Sequence, residues 1–142
     1  MHFAPLLTLL LAALVTGESL SYDPAFDQGS TSLSTVSCSD GPNGLEPKYT
    51  TFSSLPTFPN IGGVPAIAGW NSPNCGTCWQ LTYTPASANP TPRSIYLLGI
   101  DRGAVGFNIA LAAMNNLTNN QAVALGRVDV AAVQVDSSKC LM

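Results

Sequence analysis

From Cys78 to Thr84 apolar and polar positions alternate. Trp79, Leu81 and Tyr83 fall on one face, and Gln80, Thr82 and Thr84 on the other. A period of two is that of a strand with one face buried. Ser94 to Asp101 (SIYLLGID) is apolar almost throughout, as in a strand covered on both faces. Gly126 to Asp136 (GRVDVAAVQVD) predicts a further strand. Its Val128 and Val130 keep one phase and Val133 and Val135 the other, so a β-bulge is expected near Ala131–Ala132. Helical spacing occurs once, where Phe107, Ala110, Leu111 and Met114 predict an α-helix from about Gly106 to Leu117. Another short turn is expected at Thr118–Ala122. Leu33–Cys38 and Ile67–Trp70 are brief strand candidates. Phe52–Gly63 carries two prolines and leaves room only for a helical turn at Ser53–Leu55. Ser39–Gly44 is dense in turn residues. Strands around one helix, joined by Pro- and Gly-rich connections, predict a small single-domain β-barrel, mainly β with short peripheral helices.

The N-terminus stands apart from this pattern. Phe3 to Val15 (FAPLLTLLLAALV) is an apolar run followed by small residues. It is shorter than the ~20 residues a membrane-spanning helix needs. Val15-Thr16-Gly17 places small residues ahead of a cleavage point, so residues 1–17 are expected to be a secretory signal peptide and 18–142 the mature domain. The alternative is a buried N-terminal helix. No later apolar run is long enough to span, so the product is expected to be released.

Composition narrows the chemistry. Of 142 residues, 5 are basic and 8 acidic, giving a net charge of −3 and a pI near 4.7. This balance offers no footprint for nucleic acid and no attraction to an anionic membrane. Charged residues are 9% while apolar residues are 46%, a combination that argues against disorder. The single histidine, His2, lies in the leader. The mature chain therefore lacks Ser-His-Asp and Cys-His nucleophilic machinery and every imidazole-dependent metal site. Acid–base chemistry would fall to Glu18, Asp23, Asp27, Asp40, Glu46, Asp101, Asp129 and Asp136. Neither a metal nor a cofactor is expected.

Cys38, Cys75, Cys78 and Cys140 form an even set, which in a secreted chain reads as two disulfides with three possible connectivities. Cys75-Gly76-Thr77-Cys78 has the spacing of a redox pair, but no βαβ pattern surrounds it. A four-thiolate zinc site usually needs two close pairs, and Cys38 and Cys140 stand alone.

Several segments in order carry a resemblance. They are Tyr22-Asp23, Cys38-Ser39-Asp40-Gly41, Phe58-Pro59-Asn60-Ile61-Gly62-Gly63, Ala68-Gly69-Trp70-Asn71-Ser72-Pro73, Cys75-Gly76-Thr77-Cys78-Trp79, Gly106-Phe107-Asn108, Gly126-Arg127-Val128-Asp129 and Val133-Gln134-Val135-Asp136. Together they resemble the cerato-platanins, small secreted fungal proteins, over nearly all of the mature chain. The resemblance implies a six-stranded double-ψ β-barrel related to expansins, with Cys38–Cys75 and Cys78–Cys140 bonded. It implies binding of chitin or N-acetylglucosamine oligomers and loosening of cellulose without hydrolysis. It further implies self-assembly at interfaces, elicitation of plant defence through a plant receptor, and residence in the fungal wall or medium. The Pro85–Arg93 loop is longer than is usual in that family, and Arg102 stands where its members vary.

Candidate site residues follow from the same motifs. Asp101 resembles the family's acidic residue in a shallow groove; the alternatives are a turn carboxylate or a pair with Arg102. Asp40 is a turn residue or a polar lip of that groove. Tyr22, Asp23 and Asn108 are hydrogen-bonding candidates of the same kind. Trp70, in a loop, is a candidate stacking platform for sugar CH faces, the alternative being a buried Trp beside the Cys75 disulfide, whereas Trp79 is expected in the core. Asn116, in Asn116-Leu117-Thr118, is a candidate N-glycosylation acceptor. No catalytic set is expected, because ordinary glycoside hydrolysis uses two carboxyls. A lytic enzyme relying on Asp101 as acid or base and a hydrophobin-like surface-active protein are the competing readings.

Overall fold

The structure, a computed structural model, describes residues 3–5 and 14–142. Most of the apolar leader, and with it the helix-or-signal expectation for Phe3–Val15, lies outside the described residues. Six strands form the fold: β1 (Thr16–Tyr22), β2 (Ile61–Val64), β3 (Cys78–Tyr83), β4 (Arg93–Arg102), β5 (Phe107–Ile109) and β6 (Arg127–Val135). They close into a barrel in the order β1-β5-β2-β4-β3-β6, with β6 returning to β1. The pairs β1/β5 and β2/β4 are parallel, and the other four are antiparallel. β1 starts two residues before the expected mature N-terminus at Glu18.

The barrel interior follows from alternation. Leu20, Leu81, Leu97, Phe107, Ile109, Val130 and Ala132 are buried. Leu98 and Ile61, on the other face, are buried too. A helix, α1 (Leu111–Thr118), packs against β4 and accounts for the near-continuous apolar run there. Two backbone donors at its start, the N–H groups of Leu111 and Ala112, reach the Asp27 carboxylate at 2.7 and 2.9 Å. The helix stops where Asn119 turns left-handed at φ 55°. A single-turn helix, α2 (Ala122–Leu125), follows.

Both disulfides pair as the resemblance implies, Cys38–Cys75 and Cys78–Cys140, and no cysteine is free. Asp136 caps the terminal 3-10 turn Ser137–Cys140. Hydrogen bonds from Ser138, side chain first and backbone second, hold its carboxyl below the usual carboxylate range.

Four sequence expectations are corrected. The helical pattern begins too early, since Phe107–Ile109 is β5 and the helix starts at Leu111. Gly106 at φ 71° breaks any helix there, and a Cβ on it would meet the Ser19 carbonyl at 2.2 Å. Leu33–Cys38 is not a strand: Leu33–Thr35 is a 3-10 turn, because Ser32 and Thr35 hydroxyls bond local backbone at 3.1 and 2.7 Å. Ile67–Trp70 is a turn, and the strand lies earlier, at Ile61–Val64, inside the stretch assigned to a proline-bearing loop. The bulge is also elsewhere. β6 keeps uninterrupted register with β1 and β3 through Ala131–Ala132. Its second apolar phase arises because Val135 pairs with Cys78, whose bond to Cys140 lays the terminal turn over that face. The register shift falls between Gly62 and Gly63, where Gly62 faces Gly99 but Gly63 faces Asp101. The expected turn at Ser53–Leu55 is present as the 3-10 turn Phe52–Ser54.

Candidate functional site: a polar row on the barrel wall

That misplaced bulge positions the site. Along β4 a strict alternation would give Asp101 the inward phase of Leu97 and Gly99. One extra residue at Ile100 reverses the phase, so Asp101 projects from the outside of the barrel. Ser21 pairs with Asn108, Asn108 with Gly63, and Gly63 with Asp101. Register partners project to the same side. The four therefore form one row across β1, β5, β2 and β4. With strands about 4.8 Å apart, Asp101 and Asn108 stand roughly 10 Å apart across Gly63. Gly63 itself is buried, and the space a Cβ on it would take is filled by the Arg102 carbonyl and the Gly103 amide.

Each polar member is held in place. The Ser37 N–H (3.0 Å), the Ser37 hydroxyl (2.8 Å) and the Arg102 N–H (2.9 Å) all donate to Oδ1 of Asp101. Arg102 thus holds Asp101 through its backbone rather than its guanidinium. Asn108 donates from Nδ2 to the Ser21 hydroxyl at 2.9 Å. A shallow depression of about 250 Å³ opens on each side of the row. One is lined by Asp101, Asp23, Gln28 and Thr31 among others. The other is lined by Ser21, Asn108, Arg102, Arg127, Ala104 and Val105.

The structure brings only part of the candidate set together. Asp101, Asn108 and Asp23 meet at this face, although Oδ1 of Asp23 is engaged by the Ala25 N–H at 2.9 Å. Tyr22 takes the inward phase of Leu20, is half-buried against the core, and lines neither depression. Trp70 and Asp40 form a separate pair, with the indole N–H donating to Oδ1 of Asp40 at 2.7 Å. Trp70 is 62% exposed and presents a fixed aromatic face. Trp79 is half-buried, edge-on to Phe107 at 5.8 Å, as a core residue should be. Asn116 is exposed at the end of α1, and its carbonyl accepts from Arg93 at 3.0 Å. Sequence reasoning missed Ser21, Ser37, Gly63 and Arg127, which acquire meaning only through register.

A further depression, about 420 Å³, lies elsewhere, between Trp79, Phe107, Pro65 and Gln134. Leu14 and Thr16, from the expected leader, form part of its wall, and few polar groups converge on it. Among the described residues no three His, Cys, Asp or Glu side chains cluster as a metal site would require. None of the described helices is long and apolar enough to cross a membrane.

Comparison with known proteins agrees on one lineage. The cerato-platanin family profile matches residues 18–142. Allergen Asp f 15 of Aspergillus fumigatus is 50% identical over 122 residues, covering 86% of this chain and 76% of the relative. Cerato-platanin of Ceratocystis fimbriata f. sp. platani is 42% identical over 134 residues, covering 94% and 93%. The crystal structure of cerato-platanin 1 from M. perniciosa superposes with a TM-score of 0.81 at 57% identity, covering 86% of this chain and 98% of that one. The solution structure of the fungal elicitor Cerato-Platanin gives 0.74 at 44% identity, covering 87% and 96%. With a family match over the whole barrel and relatives this similar along their length, the chain belongs to the cerato-platanin family.

Proposed function

We propose that this protein is a secreted, non-catalytic binder of cell-wall polysaccharide. Its ligands would be N-acetylglucosamine oligomers of the chitin type and cellulose, and its sites of action the fungal wall and the plant host. The observation that carries this reading is the Ser21–Asn108–Gly63–Asp101 row, which puts the hydrogen-bonded side chains of Asp101 and Asn108 on one side of the barrel wall, each lining a shallow depression. A flat strip of fixed donors and acceptors suits a chain of sugar hydroxyls. Asp101 is held by three donors to one oxygen, an arrangement that fixes a hydrogen-bond acceptor. Trp70, clamped by Asp40, is a second contact for a long polymer. The host role draws on the relatives' own names, which include an allergen and a fungal elicitor. The leader at residues 1–17 supports release from the cell.

The test is an NMR titration of residues 18–142 with N-acetylglucosamine oligomers, beside Asp101→Asn. Losing one charge-assisted hydrogen bond should weaken binding by about 1.5–3 kcal/mol. Neither protein should release soluble sugar from chitin or cellulose. Sustained release that depends on Asp101 would replace this reading with the lytic-enzyme reading.

A surface-active role is favoured by a separate observation. Trp70, Val105, Val123 and Leu141 each expose more than half their surface, at 62, 68, 68 and 71%, on a chain with 9% charged residues. Surface-tension measurement on the mature protein tests it, and both roles are compatible.

A further inference from the structure

The depression beyond Asn108 has a different chemistry from the rest of the row. Two of the chain's five basic side chains, Arg102 and Arg127, line it together with Asn108 and Ser21. Arg127 continues the row by register, since it pairs with Ser21. The Arg127 guanidinium is anchored by the Ser19 hydroxyl and the Val105 carbonyl. Among the described residues, no carboxylate lies within salt-bridge distance of either guanidinium. On a protein of net charge −3, two arginines have thus been brought to one concave patch whose lining contains no acidic residue. Guanidinium forks match carboxylate oxygens bidentately, and they are less strongly hydrated than ammonium groups.

We propose that this patch is a subsite for the carboxylate of a uronic-acid residue, which makes acidic polysaccharide a ligand class of the groove. The row would then be polarised. Asp101 accepts from neutral hydroxyls in the depression on one side of the row, and in the depression on the other side, beside Asn108 and Ser21, the arginines take an anionic sugar. Asn108 and Ser21 sit between and hydrogen-bond the same ring. The proposal rests on the groove reading above only for the position of the remaining sugars, because the arginine patch is complete without Asp101.

The experiment compares trigalacturonic acid with its methyl ester, which keeps the shape and removes the charge, by titrating residues 18–142. The acid should bind at least about tenfold more tightly than the ester, the loss expected for a charge-assisted hydrogen bond. Its advantage should shrink as salt is raised. Arg102→Gln is the variant of choice, because no hydrogen bond of its guanidinium holds the fold. It should remove the preference for the acid over the ester, with chemical shifts of Ser21 and Asn108 reporting the site. Equal affinity for acid and ester, or an acid preference that survives Arg102→Gln, would overturn the proposal. Inorganic sulfate binding as tightly as trigalacturonate would overturn the saccharide assignment in the same way. Failure of the groove reading looks different. There the N-acetylglucosamine oligomers do not bind, Asp101→Asn changes nothing, and the arginine-dependent preference for the acid persists.

Discussion

The two halves of the barrel wall are built on different rules. The β4-β3-β6 half is antiparallel and carries long strands of ten, six and nine residues. Its register is continuous, and its fully buried inward side chains include Leu81, Leu97 and Ala132. The β1-β5-β2 half contains strands of only three and four residues in β5 and β2, adjoins both parallel pairs, and is rich in glycine. A Cβ on Gly62 would meet the Asn108 carbonyl at 2.5 Å, and one on Gly63 the Arg102 carbonyl at 2.6 Å. Side-chain packing therefore holds the first half, while backbone-to-backbone approach holds the second. The candidate row runs across the second half and onto β4, which contributes Asp101.

The largest expected effect comes from the disulfides, which close loops of 37 and 62 residues. Chain entropy predicts that losing either costs roughly 4 kcal/mol. The two should nevertheless differ in function. Cys38 adjoins Ser37, which holds Asp101, and its N–H bonds the Ile100 carbonyl at the bulge. Replacing Cys38 and Cys75 by Ala should lower stability and oligosaccharide affinity together, whereas replacing Cys78 and Cys140 should lower stability alone. Denaturant unfolding and the NMR titration, run on both variants, check this. A loss of affinity confined to the Cys78–Cys140 variant would break the comparison.

Next in size is the glycine seam. Gly63→Ala should cost about 1–3 kcal/mol, because the added methyl meets backbone on β4 that must shift. It should also perturb the Asp101 and Asn108 signals. Gly69→Ala, where an added Cβ meets nothing within 4 Å, is the control and should be near neutral in thermal unfolding. Equal melting temperatures for the two variants would show that the seam is not held by close approach.

The smallest effect concerns the link between the halves. Asp27 receives the first two N–H groups of α1, those of Leu111 and Ala112, in the helix that covers β4. Asp27→Ala should cost about 1 kcal/mol, the usual value of a helix cap, and leave sugar binding intact. Hydrogen exchange should rise in α1 before it rises in β2.

These rules also separate what was legible in the sequence from what was not. β3, β4 and β6 were readable because alternation and continuous apolar runs are local patterns with a direct physical cause. The apolar leader and the absence of histidine after His2 were equally local, as was the set of four cysteines. β2 and β5 were not, because two glycines carry no hydrophobic signal and three residues of strand are too few to outvote a helical spacing that continues into α1. Asp101, Asn108 and Asp23 could be nominated from motifs, but the same motifs nominated Tyr22, which takes the inward phase, and Asp40, which clamps Trp70. Composition and the antiparallel half were thus determined by the sequence itself, since each depends on residue type and short-range period. The aim of Asp101, the row it shares with Asn108 and Ser21, and the meeting of Arg102 with Arg127 were decided only in the tertiary structure. They depend on one extra residue at Ile100 and on pairings between segments as far apart as Ser21 and Arg127, for which no short-range pattern exists.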